Sequence, residues 1–160
     1  MQQFHTLAPI YDENSRVLIL GSFPSVKSRE AAFYYGNPQN RFWAVIAAVF
    51  GADVPQTTEE KTRLLLQNGV ALWDVICTCE ITGSDDASIK NAQANDLSPI
   101  LQCGNITRIF ANGGTAARLY KKLLLTQTGI PAQTLPSTSP ANARFSLRDL
   151  IDKWQVLTHD

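Results

Sequence analysis

Four short apolar runs recur along the chain, each followed by a helical pattern, and this alternation constrains the fold more than any other feature. The runs are RVLILG (16–21), VALWDVI (70–76), ITRIFA (106–111) and the weaker PAQTLP (131–136). They are too short for helices and too continuously apolar for strands with one wet face, so they read as strands buried on both sides. Between them, NRFWAVIAAVFG places Phe42, Val45, Ile46 and Val49 on one helical face and stops at Gly51. TTEEKTRLLLQNG opens with Thr57 and Glu60 at capping-box spacing and closes at Gly69. Asp96 can cap a short helix ending at Gly104, and GTAARLYKKLLLTQ and FSLRDLIDKWQVL supply two more. Strands alternating with helices imply right-handed crossovers. The expected fold is α/β: a three-layer αβα sandwich on a four-stranded parallel sheet, in one domain spanning residues 1–160.

In such folds ligands gather where strands end at their carboxyl edge. GSFPS (21–25), DVICTCE (74–80), ANGGT (111–115) and PSTSPANA (136–143) should therefore crowd one edge. Several function classes are disfavoured there. Both histidines, His5 and His159, sit near the chain ends, where segments usually fray, so a histidine-based triad or zinc site is not expected. Three cysteines cannot make an all-cysteine cluster, and Cys77-x-Cys79 reads as strand-end packing. No metal and no cofactor are expected. An odd cysteine count, no secretory leader and no membrane-length apolar run fit a reducing cytoplasm and no membrane partner. The net charge of zero argues mildly against a nucleic-acid partner, but residues 25–41 carry Lys27, Arg29 and Arg41 against Glu30 alone.

The connection after the first strand holds FYYGNPQNRFW (33–43), with four aromatics around Gly36-Asn37-Pro38. A loop this long and aromatic is usually functional. Asn40, just before a helix, also suits an N-cap, so capping and chemistry both remain open for it.

Gly21-x-x-Pro24, followed by Asn40-Arg41-Phe42-Trp43, resembles motif one of the uracil-DNA glycosylase superfamily, and LPSTSP (135–140) sits where that superfamily keeps motif two. The strand–helix order from Arg16 onward is similar too. Within the group, GSFPS, FYYGNPQNRFW, ALWDV and LPSTSPANA most resemble the hypoxanthine (deoxyinosine) DNA glycosylases. Two departures stand out. Phe23 occupies the position where many members place a water-holding aspartate or asparagine, and Ser137 stands where motif two commonly starts with histidine or asparagine.

The resemblance implies a monofunctional glycosylase that flips a deaminated adenine from duplex DNA and hydrolyses its N-glycosidic bond, leaving an abasic site for base excision repair. It implies Asn40 as the catalytic residue, Tyr35 as the stacking aromatic and Phe23 as another wall. Hypoxanthine presents an N1–H donor beside an O6 acceptor, and Asn112 is the candidate reader of that edge, a turn asparagine being the equal alternative. Ser137, Thr138, Ser139, Pro140, Ala141 and Asn142, with Ser25 and Lys27, are candidates for contact with DNA. A monomer acting on double-stranded DNA is expected. The alternatives are a uracil or mismatch-specific pyrimidine glycosylase, and a non-catalytic module that binds damaged DNA.

Overall fold

The computed structural model of the protein describes residues 2–159. In chain order its principal elements are β1 (Gln2–Phe4), β2 (Val17–Gly21), α1 (Val26–Ala31), α2 (Phe42–Val49), α3 (Thr58–Gln67), β3 (Val70–Asp74), β4 (Ile76–Glu80), β5 (Lys90–Ala94), α4 (Ser98–Cys103), β6 (Arg108–Asn112), α5 (Gly114–Leu123), α6 (Leu125–Thr128), β7 (Ala132–Leu135) and α7 (Leu147–Trp154). The four apolar runs form a parallel sheet in the order β3-β2-β6-β7. Alternate side chains of β2 enter two separate cores. Ile19 joins Phe42, Ile46, Leu65 and Trp154 on one face, while Leu18 and Leu20 join Ile100, Leu119 and Tyr120 on the other. A strand with apolar side chains on both faces must be covered on both, and here helices do it.

DVICTCE departs from the expected loop. Ile76–Glu80 is a strand, the centre of a second, antiparallel sheet ordered β1-β4-β5. Its partners are weakly marked in the sequence: QQF is three residues long, and KNAQA alternates only through the small Ala92 and Ala94, which pack against the core. This sheet also corrects the expectation for the first histidine. Pairing of Gln3 with Cys79 and of Phe4 with Thr78 ties the amino end down, and the His5 N–H donates to the Cys77 carbonyl at 2.7 Å. The His5 side chain is consequently buried and its segment paired rather than frayed.

One buried asparagine holds the two sheets at their junction. Asn95 donates through Nδ2 to the carbonyls of Asp74 (2.9 Å) and Ile76 (3.1 Å), and its N–H reaches Val75 at 2.8 Å. Asn95→Ala strips the side-chain donor from two carbonyls at a buried turn. We expect about 1–3 kcal/mol of lost stability, read as a lower midpoint in chemical unfolding. An unchanged midpoint would show that the clamp does not support the turn.

Helix capping follows the sequence in part. Thr57 accepts from the Glu60 N–H at 3.1 Å, but the Glu60 carboxylate takes the N–H of Gln56 rather than that of Thr57. The reciprocal box closes instead at Ser146 and Asp149, opening α7.

Candidate active site

Carboxyl ends of parallel strands converge on one edge, and a cavity of about 290 Å³ opens there. That is close to the lower end of small-ligand sites, about 300 Å³. Its floor is built by β2 and β3. Gly21 stands in register with Asp74, and Asp74 is only 4% exposed. A β-carbon built on Gly21 would lie 2.4 Å from Asp74 Oδ1 and 3.1 Å from the Tyr35 hydroxyl. Glycine is therefore required here by close approach: the carboxylate and the phenol share the space above its Cα.

Asp74 is held from behind. His5 Nε2 lies 2.8 Å from Asp74 Oδ2, and both side chains are almost fully buried. A carboxylate can only accept, so Nε2 carries the hydrogen if the aspartate is ionised. The His5 ring is boxed edge-on by Phe23 and Trp73, with Tyr34 tilted beside it. A second acid sits higher on the wall. Asp86 accepts from the Ser22 hydroxyl at 2.9 Å. Desolvation raises its carboxyl pKa, the Ser22 hydrogen bond opposes this, and the negative charges of Asp74 and Asp85 push it further up.

The segment that raised the functional expectation forms the opposite wall. Tyr35 takes the left-handed backbone conformation, φ 53°, which for a bulky residue stores roughly 1–3 kcal/mol of strain. Its ring stacks on Phe42 at 4.0 Å between centroids, and its hydroxyl accepts from Asn112 Nδ2 at 3.1 Å. Burial drives the Tyr35 pKa far up, helped by the nearby Asp74 charge and opposed by the Asn112 bond. Its phenol stays protonated. Gly36 fits tightly over α1, its N–H donating to Ser28 Oγ at 3.0 Å.

Asn112 lies at the end of β6 with its amide engaged by the protein. Nδ2 donates to Tyr35 Oη and to Thr138 Oγ1 (3.0 Å), while Oδ1 accepts from the Thr138 N–H at 3.1 Å. One lone pair of Oδ1 is all it retains for a ligand. The residue ties the two motif loops together. Thr138 is fully buried by those bonds, so its side chain faces inward.

Asn40 borders the cavity, and its carbonyl oxygen is partly spent. Oδ1 accepts from the Phe42 N–H at 2.9 Å, at the first turn of α2. Among the described residues its Nδ2 makes no hydrogen bond, so the amide presents a donor. The oxygen thus serves the start of the helix, and the nitrogen is left without a protein partner among the described residues.

Phe23, Ser25, Ser137, Ser139, Pro140 and Ala141 also line the cavity. Ser25 has a structural duty as well, capping α1 through the Ser28 N–H at 3.1 Å. Lys27 lies exposed on α1 away from the cavity lining, and Asn142 lines an adjoining depression with Gly113, Gly114 and Arg144. Arg41, noticed in the sequence as a charge and as a member of the Asn-Arg-Phe-Trp motif, is a clamp. Its guanidinium donates to the carbonyls of Phe145, Ser139 (3.1 Å) and Asn142 (3.0 Å), fixing the loop after β7. His5, Asp74, Asp86 and Arg41 are the site residues to which motif and composition assigned no role, although Arg41 stands in the Asn-Arg-Phe-Trp motif and Asp74 in ALWDV. For Asp74 a signal existed: an acid ending a buried parallel strand.

Comparison with known proteins identifies the family and the fold. A family model described as the Uracil DNA glycosylase superfamily matches residues 8–157. A hypoxanthine DNA glycosylase from Methanosarcina acetivorans is 35% identical over 149 residues, covering 92% of this chain and 93% of the relative. One from Methanosarcina barkeri is 32% identical over 148 residues, covering 91% and 92%. A solution NMR structure of a candidate uracil DNA glycosylase from Methanosarcina acetivorans superposes with a TM-score of 0.81 at 34% identity, covering 99% of this chain and all of that one.

Proposed function

Because the chain belongs to the uracil DNA glycosylase superfamily, we propose that it removes hypoxanthine from DNA by hydrolysing the N-glycosidic bond of deoxyinosine. The observation that carries this reading is the convergence of Gly21, Phe23, Tyr35, Asn40 and the 137–141 loop on one small cavity at the sheet's carboxyl edge. The two similar proteins named hypoxanthine DNA glycosylase support the choice of base.

A base inside a duplex must be extruded before its glycosidic bond can be reached, at a cost of a few kcal/mol. Tyr35, braced on Phe42, offers a rigid ring face against which an extruded base can stack. As the C1′–N9 bond breaks, its electron pair goes to the base; water adds at C1′, and the proton it gives up neutralises the departed base, leaving an abasic site. Negative charge develops on the departing purine, so the catalytic group of most value is a pre-placed donor. Asn40 Nδ2 fills that role. The 137–142 loop, stiffened by Arg41 and by its own serine turns, is the element offered to the gap in the duplex.

No helix of the described residues is long and apolar enough to cross a membrane. The free cysteines Cys77, Cys79 and Cys103 suit a reducing compartment, in line with our reading of the protein as cytoplasmic.

The test sets inosine- and uracil-containing duplexes side by side under single-turnover conditions. Free hypoxanthine should be released, and faster than uracil, with the DNA backbone left uncut. Preferential uracil release would move the protein to a pyrimidine substrate. Tight binding with no base released would leave only a damage-binding module.

A further inference from the structure

We propose that Arg41 is a positioning residue for base extrusion: its guanidinium holds the segment 138–145 in the shape that enters the duplex as the base leaves. The inference rests on the reading above and deepens it by assigning Arg41 to one step. The side chain donates to three carbonyls set three residues apart, those of Ser139 (3.1 Å), Asn142 (3.0 Å) and Phe145. The main chain of the loop is thus curled around one cation. Pro140, Ala141, Ala143 and Arg144, which lie between those carbonyls, are exposed.

The segment has few other ties. Its first turn carries bonds of its own: the Ser139 N–H donates to Ser137 Oγ, the Ala141 N–H to Ser139 Oγ, and the Asn142 N–H to the Ser139 carbonyl. The returning limb has none of this kind. Among the described residues, 143–145 make no hydrogen bond except the one that the Phe145 carbonyl accepts from Arg41. Ser146 then opens α7 with its capping box. Arg41 therefore bridges the turn to the helix across a limb with no support of its own. Pairing with an acid is not its purpose: among the described residues no carboxylate reaches it, and its Nε–H is buried without an acceptor. Burying a cation against carbonyls alone is costly. What it supplies in return is a rigid planar fork that reaches several acceptors at once, which a lysine ammonium cannot match.

The placement of Arg41 says which step it serves. It follows Asn40 in the chain, and its own N–H donates to the Thr138 carbonyl at 3.1 Å, but it does not line the base cavity. Its effect falls on the loop, whose exposed tip at Pro140 and Ala141 borders that cavity. A tip already fixed by the fold gives up little conformational freedom on entering the duplex. A loose tip gives it up at that moment, and extrusion slows. Cleavage of a base that is already out owes nothing to that ordering.

The test compares single-turnover hypoxanthine release from two duplexes, one with deoxyinosine opposite cytosine and one with it opposite a stable abasic analogue, where no base pair resists extrusion. Arg41→Lys keeps the charge, the stem and the main-chain bond to Thr138 but loses the fork. R41K should be slower by about tenfold or more opposite cytosine. That loss should shrink at least about fivefold opposite the abasic analogue, which a general loss of structure would not produce. A 2-aminopurine placed beside the inosine should show its fluorescence rise, the signal of unstacking, slowed in parallel with release opposite cytosine. Arg41→Gln, with a shorter planar amide and no charge, should behave alike. An equal loss on both duplexes would move the effect to the pocket or to cleavage and overturn the proposal. A native R41K beside a slow R41Q would also overturn it, by making the charge the working feature. Failure of both variants to fold would overturn it too, by assigning Arg41 to the fold alone. Absence of hypoxanthine release by the unmodified protein from either duplex would instead defeat the glycosylase reading itself.

Discussion

Gly21→Ala should slow hypoxanthine release by roughly 10²-fold or more, the scale of a reacting group displaced by about 1 Å. The added methyl group would lie 2.4 Å from Asp74 Oδ1, inside any permitted contact, so either the carboxylate or the strand must yield. A carboxyl group on a free side chain would swing aside at little cost. This one is pinned by His5 through Oδ2, and Asn95 holds its own backbone carbonyl. Nor can β2 recoil, being paired on both sides by β3 and β6 with its side chains in both cores. Overpacking at such a point costs typically about 1–3 kcal/mol, so G21A should also melt at a lower temperature while remaining folded. The decisive measurement is single-turnover release by folded G21A. A native rate would mean that Asp74 and Tyr35 do not share the working space above Gly21.

That crowding explains why the scaffold was more legible in the sequence than the site. Parallel strands buried on both faces leave continuous apolar runs, and all four could be read from the chain. The α2 stripe of Phe42, Val45, Ile46 and Val49 likewise announces its buried face. The second sheet left little such trace, because β1 is three residues long and β5 offers only two alanines among polar residues. Its consequence, the burial of His5 beside Asp74, was therefore hidden as well. The general expectation that chain ends fray fails here for a local reason: three residues of strand pairing carry the segment into the fold. Asn112 was correctly located at a strand end, but its amide is consumed by partners 77 and 26 residues away in sequence. Which polar group stays open is decided by such distant pairings, and no motif records them.

Asn40 allows the chemistry to be separated from the fold, and Asn40→Asp is the variant that does it. The Asn40 oxygen accepts the Phe42 N–H, and a carboxylate accepts it equally well at the start of a helix, where negative charge is favoured. Stability should therefore hold. What disappears is the Nδ2 donor, replaced by an acceptor and a charge facing a departing anion. Release of hypoxanthine by N40D should fall by about 10²-fold or more, the usual loss when one donor to a developing negative charge is removed. Asn40→Ala should show a similar rate loss together with about 1 kcal/mol of lost stability from the uncapped N–H. The pair of variants tests direction as well as size. If Asn40 worked by holding the attacking water through its carbonyl, aspartate would be the better group, and N40D would match or exceed the native rate. A slow N40D with native stability places the donor, not the acceptor, in the reaction.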